Sequence, residues 1–277
     1  MKLGIDIGGT NISLGLVNDG ALCGIAKVPS FKAEFTQKET FDYLEENIRK
    51  IITPEVDGIG IGVPSVVDVK TGVVYDAANI PSWDEAHLKE EMERRLGIPV
   101  FVNNDSNCYA LGAYWAYEGS PRPESLVAIT LGTGLGMGIV LGGKLFCGSN
   151  CGAGELGCIP YEGKTVEDYC SKKFFLDRDC TPKGAADAAR GGDAAAHELF
   201  LQYGRHLGYA VSVALYAYDP DVIVLGGGLS HNFDVFKPIM DAYLKENFPY
   251  GKILDKLKVC AMPSDDLPVL GAASLAY

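Results

Sequence analysis

The chain has 277 residues, a length that suits one large α/β domain or two smaller lobes. With 47% hydrophobic and 22% charged residues, its composition is that of a folded globular protein, which excludes a disordered, collagen-like or coiled-coil chain. The sequence holds 24 Lys and Arg against 36 Asp and Glu. The resulting net charge of −12 disfavours nucleic acid and anionic membrane surfaces as partners.

The apolar runs are short and several cysteines stand alone. No run approaches the ~20 apolar residues that span a bilayer, and Asp6 interrupts the apolar stretch that a secretion signal needs. Cys23, Cys108 and Cys260 lie in apolar contexts, where a free cysteine behaves as a small hydrophobic residue. We therefore expect a reduced, cytoplasmic protein without a transmembrane helix.

The first 117 residues predict alternating strands and helices. The segment Asn18-Asp19-Gly20 tolerates the positive φ angles of a hairpin turn and indicates a meander of three strands. Pro54 is expected to stop the first helix. In chain order, the pattern predicts strands at residues 3–7, 12–17 and 22–28, a helix at 41–51, a strand at 57–63, a hairpin at 66–75, a helix at 85–96, a strand at 100–103 and a helix at 106–117.

A second, similar pattern follows residue 118. Residues 118–124 contain two prolines and no apolar side chain, which is typical of a connection between lobes. A new meander is predicted at 126–131, 136–141 and 144–146, and a buried strand at 222–225 precedes three glycines and a helix. The repeated pattern predicts two α/β lobes, residues 1–117 and 118–277, with a ligand cleft between them.

Each meander contains a glycine turn that could hold phosphate. Asp6 ends a strand and is followed by Gly8, Gly9 and Thr10, where bare backbone N–H groups can bind phosphate oxygens and the acid can reach Mg²⁺. The alternative is an ordinary glycine hairpin. The turn Gly132-Thr133-Gly134 repeats this chemistry, and the repetition favours phosphate binding.

Two standard nucleotide-binding motifs, the P-loop and the dinucleotide glycine motif, do not fit this sequence. The segment Gly163-Lys164-Thr165 resembles the end of a P-loop, but the required first glycine would fall at Cys158. Residues 152–157 satisfy the dinucleotide glycine pattern, yet a polar loop precedes them instead of a buried strand.

An amide-rich turn with one acid follows the strand at residues 100–103. Asp105 in this turn could be only the N-terminal cap of the next helix. Because ligands bind at the ends of parallel strands in α/β proteins, its carboxylate could instead act as a general base toward a sugar hydroxyl.

Together, six motifs resemble one family, in the family's order and over nearly the whole chain: Asp6-Ile-Gly-Gly-Thr10, Gly62-Val-Pro64, Asn103-Asn-Asp105-Ser-Asn107, Leu131-Gly-Thr-Gly134, Gly152-Ala-Gly-Glu-Leu-Gly157 and Leu225-Gly-Gly-Gly228. The chain is similar to the ROK family, the repressor, open-reading-frame and sugar-kinase group. The resemblance implies an α/β fold of two actin-like, ribonuclease-H-like lobes. It also implies transfer of the γ-phosphoryl group of ATP to a sugar hydroxyl, with a glucose-like hexose and its 6-hydroxyl as the expected acceptor.

The resemblance also implies roles for individual residues. Asp105 is the expected catalytic base, and Asp6 assists Mg²⁺ directly or through water. The expected sugar ligands are Asn79, Asn104, Asp105, Glu155 and Glu167, where Glu167 rests on matching residues 166–171 to the family's Leu-Glu-x-x-x-Ser stretch across a gap. The expected ATP ligands are Gly8, Gly9, Thr10, Asn11, Thr133 and Gly134 at the phosphates and Gly226, Gly227 and Gly228 at the adenosine end.

The chain departs from the family at its zinc loop. Members of the family usually have a zinc-binding His after the Gly-Glu-Ile-Gly stretch and then a Cys-x-Cys loop, whereas this chain has Cys158 and no Cys-x-Cys. Among Cys147, Cys151, Cys158 and Cys170, only the first two have the spacing of paired zinc ligands. The four histidines, His87, His197, His206 and His231, show no metal-binding spacing. We expect no zinc.

Alternatives to a glucose-type kinase remain. The acceptor could be an N-acetylated hexosamine or fructose, because no motif in the sequence reports which sugar the pocket selects. A sugar-responsive repressor is disfavoured, since only Met1–Gly4 precede the first glycine motif and the net charge is −12. An actin-like binding or assembly ATPase would leave Asp105 and both glutamates unexplained. The family resemblance also favours a homodimer.

Overall fold

The computed structural model describes residues 1–77 and 79–277. Its first half contains strands β1 (Lys2–Ile7), β2 (Asn11–Asn18), β3 (Ala21–Pro29), β4 (Gly58–Val63), β5 (Val66–Asp68), β6 (Val73–Tyr75), β7 (Glu85–Ala86) and β8 (Val100–Asn104), and helices α1 (Gln37–Ile51), α2 (Leu88–Leu96) and α3 (Asp105–Ala116). Its second half contains strands β9 (Ser125–Leu131), β10 (Leu135–Leu141), β11 (Lys144–Leu145), β12 (Pro160–Tyr161), β13 (Lys164–Thr165), β14 (Val222–Gly226) and β15 (Lys258–Ala261). The helices of that half are α4 (Val166–Cys170), α5 (Lys172–Leu176), α6 (Pro182–Arg190), α7 (Ala194–Tyr218), α8 (Phe233–Asn247), α9 (Gly251–Leu254) and α10 (Asp266–Ser274).

Two five-stranded sheets share one strand order. The first runs β3-β2-β1-β4-β8 and the second runs β11-β10-β9-β14-β15. In each sheet the three meander strands are antiparallel, and the remaining two strands are parallel to the first strand of the meander. The predicted meanders and the two α/β lobes are therefore confirmed.

Local sequence explains where several elements begin and end. Asp19 and Gly20 have φ angles of 48° and 77°, as the predicted hairpin turn between β2 and β3 requires. Helix α1 begins with a capping box formed by Thr36 and Glu39. The helix predicted from residue 85 begins instead at Leu88, because Glu85 pairs with Tyr75 as a short strand.

Helices α3 and α10 lie between the two sheets. Helix α3 packs its alanines against β9 and β10 of the second sheet, and α10 packs against β1 and β4 of the first. The helices meet at Gly112 and Gly271, where an added Cβ would lie 1.9 Å and 1.7 Å from a backbone oxygen of the other helix. The division of the chain at residue 118 stays a prediction, with α10 returning to the first sheet.

Within residues 1–77 and 79–277, we find no helix that is both long enough and apolar enough to cross a membrane.

Candidate active site

A cavity of about 340 Å³ opens between elements of the two lobes. The turn after β1, the start of α3, the glycines after β14 and the segment before α10 all line it. It brings together the following residues predicted from the sequence: Asp6, Gly8, Thr10, Asn11, Asp105, Gly227 and Gly228.

Asp105 is the first residue of α3 and lies on the cavity. Asn104, and not Asp105, caps this helix, because its Oδ1 accepts hydrogen bonds from the backbone N–H groups of Ser106 and Asn107 at 2.9 and 3.3 Å. Asp105 Oδ1 accepts hydrogen bonds from the Ser106 backbone N–H at 2.7 Å and the Ser106 hydroxyl at 3.2 Å. Burial raises the pKa of Asp105 to about 6, against the lowering effect of these two hydrogen bonds, and the Glu155 charge raises it further.

Asp6 lies near the end of β1 and faces the same cavity. Burial raises its pKa to about 7, and the charges of Asp105 and Asp265 act in the same direction, whereas Lys27 opposes them. Among the described residues, none donates a hydrogen bond to the Asp6 carboxylate. A partly buried acid without a protein donor is suited to binding a divalent cation, so Asp6 fits the role of a Mg²⁺ ligand.

The two glycine turns differ in their position. Gly9 and Gly132 have open space where a side chain would project, so ligand atoms can approach both backbones. The first turn lines the cavity, but Thr133 and Gly134 of the second turn are not among its lining residues, and Thr130 of β9 lies there instead.

The glycines after β14 connect two cavities. Gly227 has a φ of 75°, and a Cβ there would lie 2.5 Å from the Leu131 carbonyl oxygen. Gly228 and His231 line both the cavity described above and a second one of about 770 Å³. The second cavity is bordered by α5 and α6 and is also lined by Lys172, Leu176, Thr181, Pro182, Lys183, Asp187, Arg190, Leu229 and Asn232.

The predicted sugar ligands lie in several places. Asn104 uses its amide in the helix cap and donates from Nδ2 to the Ser65 carbonyl at 3.3 Å. Glu155 is exposed, and its charge reaches Asp105. Asn79 is exposed and is absent from the residues lining the described cavities.

Glu167 bridges the second glycine turn and α5. Its Oε2 accepts a hydrogen bond from the Leu135 backbone N–H at 3.0 Å, and its Oε1 accepts one from Lys173 Nζ at 2.6 Å. It also lies beside Gly157. Glu167 therefore connects the turn at residues 132–134 with the loop that carries Glu155.

The four cysteines of the possible zinc set do not converge. Cys147 and Cys151 place their Sγ atoms 3.7 and 3.4 Å from Asn103 Oδ1, whereas Cys158 lies beside Glu155, with 3.6 Å between Sγ and Oε2. Cys170 is buried in the core of the second lobe. In the described ranges, no group of three or more metal-ligating residues is placed to hold an ion. The residues present do not fit the family's zinc site.

Sequence reasoning missed several residues of the cavity. Lys27, Tyr109, Thr130, His231 and Asp265 all line it. Lys27 left no usable signal, because regular pairing from the Asn18-Asp19-Gly20 turn places Ala26 opposite Ser13, and the register shift between Leu16 and Val17 brings Lys27 there instead.

Two lobes with the same strand order, set around a cleft that contains acidic side chains and a glycine turn, define the class of actin-like two-lobe proteins. The ROK family model matches residues 2–277. A glucokinase of Halalkalibacterium halodurans is 31% identical over 99% of this chain and 94% of its own length. An N-acetyl-D-glucosamine kinase of Aliivibrio fischeri is 29% identical over 99% of both chains.

Solved structures show the same similarity. The ROK family glucokinase of Streptomyces griseus, solved in complex with glucose and AMPPNP, superposes with a TM-score of 0.81 and 28% identity, covering 99% of this chain and 98% of that one. The chain belongs to the ROK family. The predicted pair of actin-like lobes is confirmed, and the protein is a sugar kinase.

Proposed function

We propose that the protein transfers the γ-phosphoryl group of ATP to the 6-hydroxyl of a glucose-like hexose. The observation that carries the proposal is the pair of partly buried acids on one cavity, Asp6 and Asp105, each with a raised pKa. The glucokinase relatives, with about 30% identity, support glucose as the acceptor.

Asp105 is the proposed general base. Its Oδ1 is occupied by Ser106, which leaves Oδ2 to accept the proton of the sugar hydroxyl. A base with a pKa near 6 is ionised at neutral pH and still has affinity for a proton, which suits proton transfer at the moment of attack.

The nucleotide phosphates are proposed to lie along the turn formed by Gly8, Gly9, Thr10 and Asn11, with Thr133 and Gly134 approaching from the second lobe. Mg²⁺ would be held by Asp6 and would neutralise charge on the phosphates. The cavity of about 770 Å³ beyond Gly226, Gly227 and Gly228 has room for the adenosine.

The sugar is proposed to lie on the Glu155 side of Asp105. Glu155 and Glu167 would accept hydrogen bonds from its hydroxyls, with Asn79 and Asn104 as further ligands. Glu167 would do so while it holds the Leu135 N–H group, because each carboxylate oxygen can accept two hydrogen bonds.

The test measures ADP release with glucose, mannose, fructose, N-acetylglucosamine and N-acetylmannosamine. We expect the highest kcat/KM for glucose, and we expect Asp105→Asn to lower kcat at least ~10²-fold with an unchanged circular dichroism spectrum. Asp255→Asn, an exposed acid that ends α9, is the matched control and keeps full activity. Near-normal turnover in folded Asp105→Asn would contradict the mechanism.

A second acceptor class is favoured by the Aliivibrio fischeri relative, an N-acetyl-D-glucosamine kinase that matches 99% of the chain. A higher kcat/KM for an N-acetylated sugar than for glucose would select this class. Absence of sugar-dependent ADP release with every sugar would instead contradict the proposed function.

A further inference from the structure

The cleft contains one cation that the proposed mechanism does not use. Among the described residues that line the cavity of about 340 Å³, Lys27 is the one lysine or arginine, whereas Asp6, Asp105 and Asp265 supply three acids. ATP would bring several more negative charges into this acidic site. A positive group is therefore needed beside Mg²⁺ to balance the phosphates.

The strand register places Lys27 on the same face of the first sheet as Asp6, which precedes the turn of Gly8 and Thr10. Asp6 of β1 pairs with Ser13 of β2, and Ser13 pairs with Lys27 of β3. Directly opposed residues of neighbouring strands project from the same face of a sheet, so Asp6 and Lys27 share a face about 10 Å apart at the backbone. This distance places the long side chain of Lys27 beside the turn of Gly8 and Thr10.

The ion pair that Lys27 forms with Asp265 is exposed to water. Lys27 Nζ donates a hydrogen bond to Asp265 Oδ2 at 2.7 Å, and the side chains are 44% and 82% exposed. Exposed pairs of this kind contribute little to stability, because water competes for both charges. An incoming phosphate can therefore replace the Asp265 carboxylate at low cost.

We propose that Lys27 binds the phosphate chain of ATP and that Asp265 holds the ammonium group at the cleft while the nucleotide is absent. This inference rests on the proposed use of ATP and adds a phosphate-binding residue to it. The simpler alternative is that the ion pair only ties β3 to the start of α10, and in that case its two members would be equivalent.

The two explanations, ATP binding by Lys27 and a purely structural ion pair, predict different effects of substituting Lys27 and Asp265. Binding of ATP, ADP and AMP in the presence of Mg²⁺ is measured by calorimetry for Lys27→Met, Lys27→Arg and Asp265→Asn, with the exposed Lys32→Met as the matched control. We expect Lys27→Met to weaken ATP binding about 10-fold or more, the usual effect of losing a charged hydrogen bond, to leave AMP binding unchanged, and to be largely rescued by Lys27→Arg. Asp265→Asn is expected to bind ATP at least as tightly as the wild type.

Two results would overturn the inference: unchanged ATP affinity in Lys27→Met, or equal weakening in Lys27→Met and Asp265→Asn, which indicates a structural tie. Calorimetry needs no sugar, so the outcome is separate from that of the proposed function. If no sugar is phosphorylated but Lys27→Met still loses ATP affinity, the proposed reaction fails and the assignment of Lys27 stands.

Discussion

Asp105 is subject to opposing influences that act through separate neighbours. The Ser106 backbone N–H and hydroxyl stabilise its ionised form, whereas burial and the negative charge of Glu155 favour the protonated form. Burial is the largest effect, and it leaves the pKa of Asp105 at about 6. Each neighbour can be changed singly, so the titration of this one carboxylate can be moved in either direction.

The first prediction concerns pH. With saturating Mg²⁺ and ATP, kcat/KM for the sugar is expected to fall as the pH drops below about 6, because protonated Asp105 cannot accept the hydroxyl proton. Ser106→Ala removes a donor to the carboxylate and should move this acidic limb to higher pH. Glu155→Gln removes a negative charge and should move it to lower pH. Steady-state rates between pH 5 and 9 provide the measurement, and a limb that moves in neither variant would exclude Asp105 as its source.

The crossing of α3 and α10 is a contact between two helix backbones. Gly112 lies against the Leu267 carbonyl and Gly271 against the Cys108 carbonyl, so the two helix backbones touch without intervening side chains. Because α3 also starts with Asp105, and Asp265 precedes α10, this contact fixes two parts of the cleft relative to each other.

The second prediction tests this contact. Gly271→Ala places a Cβ 1.7 Å from the Cys108 oxygen and should lower the free energy of unfolding by about 1–3 kcal/mol or more, as overpacking does. Gly251→Ala, at an open position in α9, is the matched control and should change stability little. Urea denaturation measures both, and equal midpoints for the two variants would show that the helices can separate without cost.

The sequence predicted helices and strands better than it predicted the contacts between residues that are distant in the chain. Alternating apolar residues and the Asn-Asp-Gly turn fixed the meander strands to within a few residues, because both signals are local. The cap of α3 was less certain, since Asn104 and Asp105 are both good capping residues and only the geometry shows that Asn104 fills this role. Asp265 was missed because its link to Lys27 joins segments 238 residues apart.

At the scale of the whole molecule, the loop that carries Cys158 is held by protein contacts. Glu167 holds the neighbouring glycine turn through the Leu135 N–H group, and Cys158 lies beside Glu155. Of the other cysteines in the possible zinc set, Cys147 and Cys151 lie beside Asn103, and Cys170 lies in the core of the second lobe. A thiol is a weak hydrogen-bond partner, so we expect loose discrimination at the sugar hydroxyl that faces Cys158.

The third prediction follows from this arrangement. The protein purified without chelators or added zinc should contain no stoichiometric zinc, should regain full activity after EDTA treatment when Mg²⁺ alone is added, and should accept more than one hexose. Elemental analysis and activity are measured on the same sample. About one zinc per chain, lost together with activity and restored only by zinc, would contradict the prediction and point to Cys147, Cys151, Cys158 and Cys170 as ligands.

The shared strand order of the lobes allows their strands to be compared position by position. Asp6 pairs with Gly62 across β1 and β4, and Thr130 pairs with Gly226 across β9 and β14, so the acid and the threonine occupy corresponding places of an internal repeat. Both side chains line the same cavity. A perfectly symmetrical molecule would present two acids or none. At this pair of positions the first sheet presents a carboxylate and the second presents a hydroxyl, so the two sheets offer different groups to a ligand in the cleft.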